Sequence, residues 1–157
     1  QYILNTSTPL YGMKMNEILD TTIRLLENCL NSTFAFLVEY LLEPTKDKIT
    51  KIKCVLAQNL EISAKIRDII FEMSHDKRDT SIVVLARTFI GLVYDMLQDL
   101  ESDPELLFDG KFREKYIKSL GKLVEMCGEM HKLYGEPFRF YRSLLLCLLY
   151  ILKNYKS

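Results

Sequence analysis

Apolar residues recur at three- and four-residue steps along most of the chain, with no strand-like alternation, which predicts an all-α protein. From Lys14 to Leu30, the residues Met15, Ile18, Leu19, Ile23, Leu26, Cys29 and Leu30 fall on one stripe. Asn31-Ser32 reads as punctuation, with the Ser32 hydroxyl placed to cap a second helix. That helix, Thr33 to Glu43, is apolar nearly all round (Phe34, Phe36, Leu37, Val38, Leu41, Leu42), as a helix buried on most sides would be. Pro44 stops it, and Thr45 is placed to cap a third, carrying Ile49, Ile52, Val55 and Leu56. A fourth carries Ile62, Ile66, Ile69, Ile70 and Met73. The last two stripes nearly join in phase through Asn59 and Ser63. A break near Asn59 is expected, because polar residues would otherwise sit in mid-stripe.

The polar segment Ser74 to Asp79 reads as a loop, after which Thr80 opens the clearest helix, ending near Leu100. Its stripe of Ile82, Leu85, Ala86, Phe89, Val93, Met96, Leu97 and Leu100 is widened by Val83, Ile90 and Leu92, which predicts a central position. Asp103 then Pro104 is a cap followed by proline at the first helical position, and only a short turn fits before Asp109-Gly110. A helix follows from Lys111 to Tyr134, ended by Gly135 and Pro137 in the usual order. The last runs from Phe138 to Tyr155. Residues 1–13 show no helical period and contain turn formers, so they read as an extended N-terminal arm. Residues 14–157 therefore form a single domain of about seven helices. It is either a compact helical bundle or a set of HEAT/armadillo-like stacked helical pairs, although no shared repeat signature is found.

Composition narrows the function classes. A chain of 157 residues, 48% hydrophobic, can bury a core without disulfides or metal. Its 21 basic and 21 acidic residues cancel, which counts against nucleic acid as a partner. The longest apolar run, Leu144 to Leu152, falls well short of the roughly 20 residues of a membrane span, so none is expected. Cys29, Cys54, Cys127 and Cys147 each fall in an apolar helical pattern and read as reduced core thiols. With no signal peptide in view, the expected location is cytoplasmic or nuclear. The first residue is Gln1, which suggests a fragment of a larger intracellular protein.

Candidate chemistry is sparse. No phosphate loop, dinucleotide fingerprint, nucleophile elbow or zinc-protease motif occurs. Cys127 and His131 are four apart, but the only other histidine, His75, sits in a loop, and a zinc site needs three or four ligands. The carboxylates from Asp95 to Asp109 read as a solvated helix end. The chain is therefore expected not to be an enzyme and to need no cofactor or metal. Three features stand out as partner-binding candidates. Gly121 and Gly128 lie seven apart on one helical strip, where glycine costs about 1 kcal/mol each and suggests that another backbone packs closely. Lys46, Lys48, Lys51 and Lys53 cluster at a helix start. Arg139, Tyr141 and Arg142 mix guanidinium with aromatic character, as interaction hot spots do.

Helix sizes and loop lengths resemble both HEAT-type solenoid pieces and Bcl-2-like bundles, though the N-W-G-R type segment of the Bcl-2 family is missing. The reading that follows is a non-catalytic scaffold or adaptor domain that binds a peptide or helix of a protein partner. A second copy of the chain is the next candidate partner. The alternatives are a Bcl-2-like regulator with a groove for an amphipathic helix, and contact with phosphate or nucleic acid through the lysine cluster.

Overall fold

The computed structural model describes the backbone of residues 2–156 and the side chains of residues 14–156. The described chain is all-helical and holds five α-helices: α1 (Tyr2–Leu42), α2 (Lys46–Met73), α3 (Lys77–Ser102), α4 (Gly110–Tyr134) and α5 (Phe138–Lys153). A 3-10 turn at Pro104–Phe108 joins α3 to α4.

Five helices replace the expected seven because neither predicted interior break occurs, and one contact accounts for both. Ser32 does not cap a new helix. Its Oγ donates back to the Cys29 carbonyl at 3.0 Å, as the Thr33 hydroxyl does at 2.8 Å. Hydroxyls that return to a carbonyl three or four residues earlier are compatible with a continuing helix. Asn59 Nδ2 then donates to Ser32 Oγ at 3.3 Å, across the contact between α1 and α2. A buried amide with a partner no longer has to avoid the stripe. Ser63, fully buried, satisfies its own hydroxyl on the Leu60 carbonyl at 2.9 Å. The polar residues in mid-stripe are thus paired in place, and α2 runs through them.

The ends follow local chemistry more closely than the interiors. The Asp76 carboxylate caps α3 by accepting from Arg78 N at 2.9 Å, and the helix starts at Lys77, three residues before the expected Thr80. Asp103 caps the 3-10 turn with Pro104 behind it, as anticipated, and Asp109 caps α4. Thr45, by contrast, makes no side-chain cap bond. Gly135 ends α4 at φ 75°, a backbone state that glycine adopts without a Cβ penalty. The extended arm expected over residues 1–13 is also corrected: from Tyr2 onward the backbone belongs to α1, through Pro9 and Gly12. Once a helix is nucleated each further residue adds a bond, which offsets what a proline costs through its missing donor and its clash with the carbonyl four residues earlier.

α3 sits at the centre, as its broad stripe predicts. It packs against α1, α2, α4 and the 3-10 turn. α4 and α5 form a hairpin, and α5 returns to touch α1. Tyr141 Oη donates to Glu27 Oε2 at 3.3 Å and Tyr155 Oη donates to the Leu41 carbonyl, so α5 runs in the same direction as α1. This closes the helices around α3. In stacked pairs each repeat would touch only its neighbours, and the predicted HEAT-like pairing is not found. By length and composition α3 would also suffice to cross a membrane; half of that apolar window is buried inside the protein. At the core, Phe34 of α1 stacks on Phe89 of α3 with centroids 4.2 Å apart, and lies parallel to Tyr141 of α5 at 6.4 Å. A buried arginine went unforeseen: Arg113 of α4 donates from Nη1 to the Leu107 carbonyl at 2.9 Å, tying the 3-10 turn to the bundle.

Candidate docking surface on the last helix pair

α5 has two faces set by helical phase. Phe138, Tyr141, Leu145, Leu148, Leu149 and Leu152 point into the bundle and are buried. The opposite stripe, at three- and four-residue steps, reads Arg139, Arg142, Ser143, Leu146, Tyr150 and Lys153, all exposed. Leu146 keeps 40% of its surface in water and Tyr150 70%. Phe140, half exposed, flanks the basic end. The helix contains no acidic residue. Among the described residues, Arg139, Arg142 and Lys153 have no carboxylate within ion-pair distance. The stripe is therefore cationic at both ends and apolar between them.

Beside its basic end lies a groove of about 540 Å³ between α4 and α5. Arg139 and Arg142 line one side, and Glu125, Gly128, Glu129 and His131 the other. A Cβ at Gly128 would meet Arg142 Nε at 3.6 Å and Cδ at 3.9 Å, so the arginine stem lies across the glycine. The His131 Nδ1 is buried with no hydrogen-bond partner among the described residues. Beneath the groove Cys127 is fully buried; burial pushes its thiol up to about 11, with the nearby Arg142 charge opposing that rise.

The sequence candidates fare unevenly. Arg139, Arg142 and Gly128 come together at this groove. Tyr141 does not join them: it is 1% exposed, and desolvation first, then Glu27, holds its phenol well above the ordinary tyrosine value. It lies about 100° of helix phase from Arg142 and about 160° from Arg139, on the inner side, so it is a core residue. The expected close backbone on the glycine strip is also absent. Nothing approaches within 4 Å of where a Gly121 Cβ would stand, and at Gly128 the neighbour is a side chain. The lysine cluster is dispersed. Lys48 is held by the Glu43 carbonyl at 2.9 Å, and Lys53 pairs with Glu101 at 3.2 Å and lies over the Tyr94 ring; only Lys46 and Lys51 are exposed. Cys29 and Cys127 are core thiols as expected, whereas Cys54 and Cys147 are exposed.

The acidic stretch has structural uses. Asp99 accepts from Tyr116 Oη at 2.8 Å, Glu101 pairs with Lys53, and Asp103 and Asp109 are caps. Among the described residues no group of three His, Cys, Asp or Glu side chains could hold a metal ion. Sequence reasoning missed Leu146, Tyr150 and Lys153 as a continuation of the arginine pair. The signal was present in their spacing but hidden by the apolar character of the helix as a whole. Comparison with protein-family models, curated proteins and solved structures gives no match, so the surface stands on its geometry alone.

Proposed function

We propose that this is a non-catalytic interaction domain whose α5 stripe and adjoining groove bind an acidic amphipathic helix of a protein partner. The observation that carries the reading is the pairing of Arg139 and Arg142, which face Glu125 and Glu129 across the groove but have no carboxylate within ion-pair distance among the described residues, with exposed Leu146 and Tyr150 on one stripe of a helix that holds no acid. Charge complementarity then selects the occupant. A partner helix laid along α5 presents carboxylates to the arginine pair and to Lys153, and apolar side chains to Leu146 and Tyr150. Arginine and tyrosine are the residue types that concentrate binding energy at such contacts. The Bcl-2-like alternative shares this occupant and draws support from the central position of α3. The four unpaired cysteines favour an intracellular setting.

A synthetic helix of glutamate, alanine and leucine, with its glutamates on the face that carries the leucines, serves as the probe. Fluorescence anisotropy is expected to give saturable binding that weakens as salt rises from about 50 to 500 mM, since exposed charges are screened. Arg139→Glu with Arg142→Glu is expected to weaken it by about 30-fold or more, the loss of two contacts of about 1 kcal/mol each plus new repulsion. Both side chains are exposed, so the melting temperature should hardly move. Equal binding by the reversed variant would overturn the reading. So would preferential binding of the unchanged protein to anionic vesicles or to RNA.

A further inference from the structure

A second concavity lies away from α5, between α3 and α4, and its lining has a different chemistry. It measures about 440 Å³ and is lined by Arg87, Thr88 and Gly91 of α3 and by Ser119 and Lys122 of α4, with Asp95 at one end. Leu92 and Leu123 complete its walls. Two cations and the Thr88 hydroxyl thus face one space from two helices, while the Ser119 hydroxyl donates to the Lys115 carbonyl at 3.3 Å. Neither Arg87 nor Lys122 has a carboxylate within 4.0 Å among the described residues. The Arg87 Nε is buried with no hydrogen-bond partner among the described residues. A buried, charged donor without an acceptor is costly, and native proteins seldom leave one so. Nothing lies within 4 Å of where a Gly91 Cβ would stand, so the floor of the concavity stays open at that residue.

From this arrangement we infer that the α3–α4 concavity binds a phosphate monoester of a small hydroxyl- or amine-bearing molecule. A tetrahedral oxyanion suits converging Arg, Lys and Thr donors. Arginine supplies a fixed fork for two oxygens, and lysine a compact charge for a third. The volume exceeds what a phosphate ion alone fills and lies within the range of small-ligand pockets. Asp95 sets the rest of the ligand: its carboxylate repels a second anionic group and accepts from a hydroxyl or an ammonium. The inference does not depend on docking at α5, because none of the residues lining this concavity lies on that helix.

The probes are O-phosphoethanolamine, inorganic phosphate and ethanolamine, titrated into the isotope-labelled protein and read by amide chemical shifts. O-phosphoethanolamine is expected to give saturable shifts confined to residues around 87–95 and 119–123, and ethanolamine none. Inorganic phosphate is expected to shift the same amides with weaker affinity, because it lacks the group that Asp95 accepts from. Arg87→Gln is expected to weaken O-phosphoethanolamine binding about tenfold or more, as loss of a charge-assisted contact does. Arg87 is partly buried, so Lys122→Gln, at an exposed position, gives the same reading if the first variant folds poorly. Asp95→Asn is expected to narrow the gap between O-phosphoethanolamine and inorganic phosphate. Absence of saturable shifts up to about 10 mM, or shifts unchanged in folded Lys122→Gln, would overturn the site. Equal affinity for phosphate and O-phosphoethanolamine would overturn the assignment of an ester.

Discussion

Phe89→Ala is expected to lower the unfolding free energy by about 3–5 kcal/mol, the usual cost of removing a fully buried aromatic ring. Phe89 has no exposed surface and stacks on Phe34 with centroids 4.2 Å apart. It belongs to α3, the helix that touches α1, α2 and α4. Phe34 in turn lies parallel to Tyr141, so three rings link α3 to α1 and α1 to α5. A cavity at Phe89 removes contact from the α3 end of that row, and neighbours held by three helices have little freedom to close it. Against a typical total of about 5–15 kcal/mol, the loss is a large fraction of stability. Urea denaturation followed by circular dichroism measures it, as a fall in midpoint at unchanged slope. Phe34→Ala should cost a similar amount, and the double variant less than the sum, because both remove the same stacked pair. A loss below about 1 kcal/mol for Phe89→Ala would mean that the ring row does not organise the core.

Tyr141 separates structure from docking. Tyr141→Ala is expected to cost about 3–5 kcal/mol, since the ring is buried against Phe34. Tyr141→Phe removes only the hydroxyl that donates to Glu27 at 3.3 Å, and should cost about 1 kcal/mol. Neither should alter the affinity of the folded protein for an acidic helix, because the ring faces inward. The pair also carries a pH signature. Burial, with Glu27 adding to it, raises the folded-state phenol above its ordinary value of 10.0. A group whose folded value is raised stabilises fully below the unfolded value and loses that contribution as pH climbs toward the folded one. Stability should therefore fall above about pH 10 less steeply in Tyr141→Phe than in the unchanged protein. Denaturation midpoints from pH 8 to 11 test this, and parallel curves would place the Tyr141 phenol in solvent.

The all-α class, the central position of α3 and several termini were legible because each follows from local rules. Asp103-Pro104 and Gly135 carry their capping role in their own chemistry, whatever lies around them. The count of helices was not legible. Asn59 and Ser32 look like punctuation when each is read alone, and only their mutual hydrogen bond across 27 residues lets both helices continue. Tertiary pairing overrode local preference at both places. The arginine pair was found in the sequence, but Tyr141 was attached to it by adjacency, and a helix turns about 100° per residue. Leu146 and Tyr150 share phase with Arg139, yet the helix has so many leucines that no outward stripe showed until burial fixed the inner face. The α3–α4 concavity was beyond reach, because Arg87 and Lys122 converge only through the packing of two helices.

The central claim is that the outward stripe of α5 is the docking face. Hydrogen exchange of the protein with and without the acidic helix, resolved along the chain by mass spectrometry, tests it most directly. Slowed exchange is predicted over residues 138–153 and the facing part of α4 around Gly128, with the Lys46 to Lys53 segment unchanged. Protection elsewhere, or none at peptide concentrations that saturate the anisotropy signal, would contradict it.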